Sequence, residues 1–563
     1  MRTALCGSAP DCIVDADCDD GLFCNGREGC SAGACVPRSG PCTFDERCDE
    51  ATDICQPINP GAWVPPIGIP EPPFGIRETA PDVPSPWNVA TPGFYYVDQY
   101  DPGATDSSNT YGTPARPRVS IPNTLPAGAV VEVHGLYAVA HSSPRMIGGD
   151  GSPQSPIFIR GTSMDDRPSI VQTWEIQGHY MILENLAFAD ADGDLSGGTV
   201  GRPIILAPAH HVVLRHSDIS GNLYAGGVGV VSYDEQTTHD IVIWDNLVHD
   251  NGNWQAAYDQ DRNGIAVGYR ASYVWILDNV VYRSSGDGVN INATVWGDLS
   301  IGQTTHHIYV GRNTSYQNKQ NGFWTKKAWD VIFSHNVSFH HVPSGSSPGA
   351  GMGYQYGPER VWFLYNEVYD CTIGIVAASD AGGYDGQYSY FVGNVIHDIT
   401  NNAFDTWGAR QHMYFINNTI SNVGAGVHAA NPPSFAMYNN VIANVSNGRH
   451  VFIEADVAPR ADLQNSLLFQ EGGTVSITWG NASYSTLASF QHATGDGQGC
   501  VEGDPLFVNA QAADLHLESD SPAVDSGAEH GIYNGFLTLY GIDIAVDFDG
   551  KPRPQIDMGA YER

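Results

Sequence analysis

Lysine is scarce in this chain. Of its 563 residues four are lysines, and three of them, Lys319, Lys326 and Lys327, lie within nine residues of one another. Elsewhere the positive charge is mostly arginine. The difference is chemical: a lysine can lose its proton when its surroundings disfavour the charge and then act as a base, whereas a guanidinium cannot. Between Arg262 and Lys327 there are seven basic and three acidic residues, a positive island in a chain of formal charge −36. A base, a cation and an acid are the parts needed to remove a proton next to a carboxylate and expel an oxygen from the neighbouring carbon. We read Lys326 as the base, with Lys327 and Arg270 depressing its pKa. Lys319 and Arg270 are the candidates to neutralise the carboxylate. Tyr356, Tyr269 or His428 would supply the proton to the leaving oxygen.

These residues must be held by something regular. From about residue 179 the chain repeats a unit of Φ-x-Φ-x-x-Asn-x-Φ, Φ being apolar, at an irregular period of 22 to 34 residues. The asparagines are Asn185, Asn246, Asn279, Asn313, Asn336, Asn366, Asn394, Asn418, Asn440 and Asn465, with Ser217 in the equivalent slot. Between them stand short runs opened by glycine: Gly264-Ile-Ala-Val, Gly288-Val-Asn-Ile, Gly322-Phe-Trp-Thr, Gly351-Met-Gly-Tyr, Gly374-Ile-Val-Ala and Gly426-Val-His-Ala. Their period of two predicts strands. Strands of this kind with a fixed turn asparagine and variable loops predict a solenoid. By alternation the residue after each glycine (Ile265, Val289, Phe323, Met352, Ile375) faces the core and the next faces outward. One outer face then carries Asn290, Asn292, Trp324, Lys326, Gln355, Asp405, Trp407 and His428. Rings that stack and amides that reach hydroxyls describe a sugar-binding groove. Insertions at 251–262, 294–306, 342–350 and 379–388 would wall it on both sides.

The repeat resembles the right-handed parallel β-helix of pectate lyases, in which stacked turn asparagines form a hydrogen-bonded ladder. That resemblance implies an all-β, single-stranded right-handed solenoid over residues 94–563. The run Gly322-Phe-Trp-Thr-Lys326 is similar to the Gly-Phe-x-x-Lys strand of family-nine polysaccharide lyases, whose lysine is the Brønsted base. The likeness carries that role to Lys326 and to no other residue. Those enzymes surround the strand with aspartates that hold calcium, whereas Asn318, Gln320 and Asn321 precede it here. A lyase acting on an acidic, uronate-containing polysaccharide is thus expected to need no metal, with calcium the alternative. The rivals are a glycoside hydrolase, which needs two flanking carboxylates such as Asp287 and Asp405, and a non-catalytic glycan-binding solenoid.

The rest of the chain sets the context. Hydrophobic residues make up 42% and charged residues 16%, with 63 glycines, a profile of a β-rich secreted protein. The negative excess argues against a nucleic-acid partner. No apolar run is long enough to span a membrane, and a monomer is expected. Met1 leads into Cys6 without an apolar leader run, so a leader has been removed or the numbering starts near a mature end. Nine of the eleven cysteines lie between Cys6 and Cys55 with little apolar material among them, which predicts a disulfide module (1–56) and an oxidising, extracellular setting. It looks like the small cysteine-rich modules of secreted proteins from predatory bacteria. Eleven prolines in 57–92 predict a stiff linker over 57–93. Residues 94–178 read as the capping start of a solenoid over 94–502, and 503–563 as final coils and cap. Cys371 reads as a buried thiol and Cys500 as free or bridged to the head. The pairs His210-His211, His306-His307 and His340-His341 suggest metal, but adjacent strand residues should face opposite ways.

Overall fold

The computed structural model describes residues 63–138, 145–189, 202–223, 226–232, 237–256, 259–268, 270–293, 305–378, 387–409 and 411–563, and the backbone of four short strands near the N-terminus. Those four strands form two antiparallel hairpins, which set Cys30 opposite Cys35 and Cys48 opposite Cys55. The disulfide pairing expected there lies outside the described side chains. From Phe94 onward the chain is a single-stranded parallel β-helix. Three ladders of parallel strands run its length, each strand pairing with its counterpart one coil later.

The glycine-led ladder includes Ile265–Val267, Val289–Asn292, Phe323–Lys326, Ala350–Gln355, Ile373–Ala378, Asn402–Trp407 and Ala425–Ala429. A long ladder includes Ala271–Leu277, His306–Gly311, Trp329–Ser334 and Glu359–Leu364. A short ladder includes Leu247–His249, Val280–Tyr282, Thr314–Tyr316 and Val337–Phe339. The core is the inward file of all three. Ile265, Val289, Phe323, Met352 and Ile375 are fully buried in it, as alternation requires. At Gly322 a Cβ would come within 2.1 Å of Ser338 Oγ on the next short strand, so only glycine lets the chain enter the strand there.

The turn asparagines form the expected ladder. Asn246 Nδ2 donates to Asn279 Oδ1 at 2.9 Å, and the chain of amides continues through Asn313, Asn336, Asn366, Asn394, Asn418 and Asn440 with bonds of 2.9–3.1 Å. Ser217 holds one end, accepting from Leu186 N at 3.2 Å. Ser466 holds the other, its Oγ accepting from Asn440 N at 3.1 Å. Asn185 and Asn465 are therefore not rungs. Each sits one residue early, with φ of 56° and 42°, in the left-handed turn position held elsewhere by Asp245, Asp278, Asn417 or Asn439.

The two flanking segments differ from expectation. Residues 94–178 are coils and not a cap, since Phe94–Val97, Val130–Val133 and Ile157–Arg160 pair in turn with each other and with Trp174–Glu184. The proline-rich stretch is not a free spacer throughout. Pro65–Gly75 lies along the outer face of the long ladder. Trp275 Nε1 donates to Pro70 O at 2.8 Å, Ser334 Oγ to Ile67 O at 2.7 Å and Arg215 Nη1 to Gly75 O at 2.8 Å. The last sixty residues do not extend the solenoid. They run back along its flank: Asn417 Nδ2 donates to Asp557 O, Tyr365 Oη to Ile544 O, and Tyr540 Oη to Asp330 Oδ1. The helix Ile532–Tyr540 sets Phe536 edge-on against Trp362, 4.8 Å between centroids. The C-terminal lid is instead the helix Leu487–Thr494, whose Phe490 meets Trp479 and Tyr484 over the core. Cys371 is buried and Cys500 is free, burial pushing its thiol up to about 12.

The outer face of the short ladder is a continuous ring stack, His249–Tyr282–Tyr316–Phe339–Tyr369–His397, with centroids 4.8–5.1 Å apart and rings within 9° of parallel. A histidine closes each end between two carboxylates: Asp218 and Asp250 for His249, Glu367 and Asp398 for His397. Burial disfavours both imidazolium ions, but the carboxylates prevail and hold both pKa values up to about 9.

Two outcomes are expected. Asn336→Ala removes a fully buried amide that bonds its neighbours on both sides, and should lower unfolding free energy by about 3 kcal/mol in a denaturant titration. A histidine pKa raised on folding stabilises below its unfolded value near 6.5, and that stability is lost as pH climbs through about 9. The melting temperature should therefore fall between pH 6.5 and 9, and His397→Gln should remove about half of the decline, His249 supplying the rest.

Candidate active site

Of the three outer faces, the long ladder's is covered in part by packed segments and the short ladder's is a closed ring stack. The glycine-led face is the polar one. Its register makes two outward files. The first runs Asn290, Trp324, Gly353, Val376, Asp405, His428. The second runs Asn292, Lys326, Gln355. Lys326 is partly exposed at the end of its strand, between an asparagine on one side and a glutamine on the other, with its ammonium 5.8 Å from the Tyr356 ring centroid.

Beneath it lies a buried polar network that joins successive strand entrances. Asp287 is almost fully buried. Its Oδ1 accepts from Asn321 N and Nδ2 at 3.1 and 2.8 Å, its Oδ2 accepts from Asn290 Nδ2, and its backbone N–H donates to Asn263 Oδ1 at 2.9 Å. Asn321 Oδ1 in turn accepts from Ser347 Oγ and Ala350 N. Burial holds the Asp287 carboxyl above the usual range, and the nearby Lys326 ammonium and the bonded amides oppose it. Asp287 thus fixes the two amides that frame the lysine's strand. The sequence names Asp287 only as a carboxylate for the hydrolase alternative; the signal for this role is an acid immediately before the strand glycine Gly288.

Several expected site residues stand elsewhere. Lys327 is at the left-handed corner after the strand (φ 60°) and only 3% exposed, so it is a corner residue and not a second catalytic amine. Lys319 is 9% exposed under the loop 251–262. Its ammonium donates to Ala256 O and sits 5.9 Å from the Trp254 ring, so it anchors the wall and does not meet a substrate carboxylate. The same wall joins the loop 342–350: Ser344 and Ser346 hydroxyls donate to Asp259, and Gln320 Nε2 donates to Asp261. Trp324 is 7% exposed and lies flat, its ring atoms 2.5 Å from where a Gly353 Cβ would be and packed with Val376 and Ala378. It is floor, not a projecting ring. Trp407, 43% exposed, does project.

Asp405 is three strands from Lys326 and His428 four, roughly 14 and 19 Å at the strand spacing. His428 therefore cannot protonate an oxygen leaving beside Lys326. Asp405 cannot pair with the buried Asp287, four strands away, across one glycosidic bond, where separations of about 5–9.5 Å are needed. Instead they form a second polar group. His428 Nδ1 lies 2.8 Å from Asp405 Oδ1, Nε2 lies 3.6 Å from Glu454, and the ring stacks on Phe452 at 4.8 Å. Burial works against the imidazolium, but the two carboxylates raise the pKa of His428. Arg270 occupies the same left-handed corner position as Lys327, two coils earlier and partly exposed. Tyr269 and most of the insertions 294–306 and 379–388 lie outside the described residues.

No family model matches the chain. The uncharacterized protein YwoF of Bacillus subtilis (strain 168) is 23% identical over 191 residues, 31% of this chain and 40% of that protein. The chain therefore matches about two fifths of this curated relative's length. Among solved structures, pectate lyase Pel9A is similar over 85% of this chain and 98% of its own, with 13% identity and a TM-score of 0.38. The GH136 lacto-N-biosidase from Eubacterium ramulus is similar over 73% and 67%, with 13% identity and a TM-score of 0.42. The Azotobacter vinelandii mannuronan C-5 epimerase AlgE4 A-module is similar over 55% and 89%, with 15% identity and a TM-score of 0.38. At these scores none of them bears on the chemistry of this chain.

The dyad gives a direct check. Asp405→Asn should lower the His428 pKa, since it removes the first of the charges that raise it, and histidine-selective NMR across a pH titration would show this. An unmoved titration would mean that Glu454 alone holds the proton.

Proposed function

We propose that this protein is a secreted polysaccharide lyase that cleaves a uronate-containing acidic polysaccharide by β-elimination, with Lys326 as base. One observation carries the reading: the partly exposed lysine of the glycine-led ladder stands in register between Asn292 and Gln355, beside a tyrosine, over a floor locked by a buried aspartate. The resemblance of its strand to Gly-Phe-x-x-Lys supports the same role.

In this scheme the neutral amine of Lys326 takes the proton from C5 of the uronate. The electron pair delocalises into the carboxylate, then forms the C4=C5 double bond as the C4–O4 bond breaks. The departing oxygen takes a proton from Tyr356, leaving a phenolate, and the Lys326 ammonium passes its proton to that phenolate, directly or through solvent, restoring both groups. Of the two cations expected at the carboxylate, Lys319 is buried, so Arg270 would hold it, assisted by the side-chain amides of Asn292 and Gln355. Asp287 is a positioning residue. Trp407, Asp405 and His428 would meet sugars further along the groove and not the bond being cut. The chain works as a monomer, and the cysteine-rich head serves as an accessory module.

Incubation with pectate, alginate, ulvan and glycosaminoglycans, followed at the unsaturated-uronate absorbance, identifies the substrate. On that polymer Lys326→Ala should lower kcat by 10²-fold or more. Lys326→Arg should be nearly as poor, because it keeps the charge but not the base. If Lys326→Arg restored most of kcat and the defect lay in KM, the residue would be a ligand for the carboxylate and the assignment of the base would fall.

A further inference from the structure

Far from the lysine groove, the long ladder carries histidines whose arrangement contradicts simple alternation. His211, like Tyr180 and Asp240 in the adjacent coils, has a left-handed backbone, with φ of 51°, 51° and 52°. That kink rotates the chain by one position, so His210 and His211 lie on the same side of the sheet instead of opposite sides. Their Nδ1 atoms are 3.1 Å apart. At that distance only one proton fits between them, so at least one lone pair faces inward. The coil register adds the next residues: His210 pairs with His239, and their rings stack at 5.0 Å within 3° of parallel. Asp240 Oδ2 lies 2.6 Å from His239 Nδ1 and 4.0 Å from His211 Nδ1. Donor atoms of His211, His239 and Asp240 all lie within 4.8 Å of one another, on half-buried side chains.

We propose that His211, His239 and Asp240 bind a divalent transition-metal ion of the zinc class. Two imidazole nitrogens and one carboxylate oxygen suit zinc, whereas calcium and magnesium take oxygen sets. Neighbouring donors around a tetrahedral zinc with bonds of about 2.05 Å stand roughly 3.3 Å apart. The 2.6 Å between His239 and Asp240 and the 4.0 Å between His211 and Asp240 bracket that edge, and side-chain rotation brings both to it. The ion would tie two successive coils together across a corner where the ladder kinks. The Tyr180 ring, 4.4 Å from His211, and Phe74 of the packed N-terminal segment, 6.4 Å away, shield one side. The role is structural, and it stands independently of the chemistry at Lys326.

The test uses the full, untagged, oxidised chain. Calorimetric titration with Zn²⁺ should show a saturable site that is lost in the His211→Gln/His239→Gln double variant, one ion per chain fewer than wild type. Asp240→Asn should weaken binding by tenfold or more. Zn²⁺ should raise the melting temperature of wild type and not of the double variant, whose metal-free melting curve serves as the folding control. His239→Gln alone replaces the double variant should the latter not fold. Co²⁺ bound at the site should give d–d bands without a thiolate charge-transfer band, which separates it from the cysteines of the head. Equal stoichiometry and affinity in wild type and variant, or no saturable binding at all, would overturn the proposal.

Discussion

The asparagine-to-asparagine hydrogen bond is the constraint on which the rest depends. A side-chain amide buried at a turn must satisfy two donors and an acceptor without water. Stacking it on an identical amide one coil away meets that need and fixes the spacing at that of the strands. Eight asparagines from Asn246 to Asn440 do this in succession. Once the turn is locked, every side chain ahead of it and behind it is carried into register. The ring stack from His249 to His397, the phenylalanines within the core and the file Asn292–Lys326–Gln355 all follow from that one alignment.

Much of this could be read from the chain because the constraint is written in residue types. The asparagine period and the strand glycines disclosed the solenoid, and alternation named its inner and outer files correctly, including Lys326. Reading failed where no such type marks the position. The coils before residue 179 have no asparagine rung, so they looked like a cap. Asn185 and Asn465 have the right type but stand one residue early. Lys319 and Lys327 have the chemistry of a site residue but are buried by a loop and a corner, and burial is a property of the partner segment, not of the lysine. His210 and His211 were set on opposite faces because the left-handed residue between strand halves has no single sequence signature: His, Asp, Tyr and Arg all take it.

The glycine-led face also shows how a regular scaffold assigns distance. Because coils repeat at a fixed rise, residue types that look like one catalytic set along the sequence are dealt out along an axis. Lys326 with its amides and tyrosine falls at one level, and the Asp405–His428–Glu454 group falls at another. A small ligand can meet only one of these levels, whereas an extended one can meet both.

The segments laid along the flank change how such a molecule holds together. A solenoid whose coils touch only their neighbours behaves as a one-dimensional stack, free to fray from its ends and to lose coils one at a time. Here Ser334 is bonded to Ile67, 267 residues earlier in the chain, and Asp330 to Tyr540, 210 residues later. Tyr365 and Asn417 are bonded to residues 179 and 140 positions onward. Each of these contacts links distant levels of the stack, so a middle coil cannot open without releasing both straps. The linear array is thereby converted into one cooperative unit, and its slowest folding step becomes the closing of its longest loops.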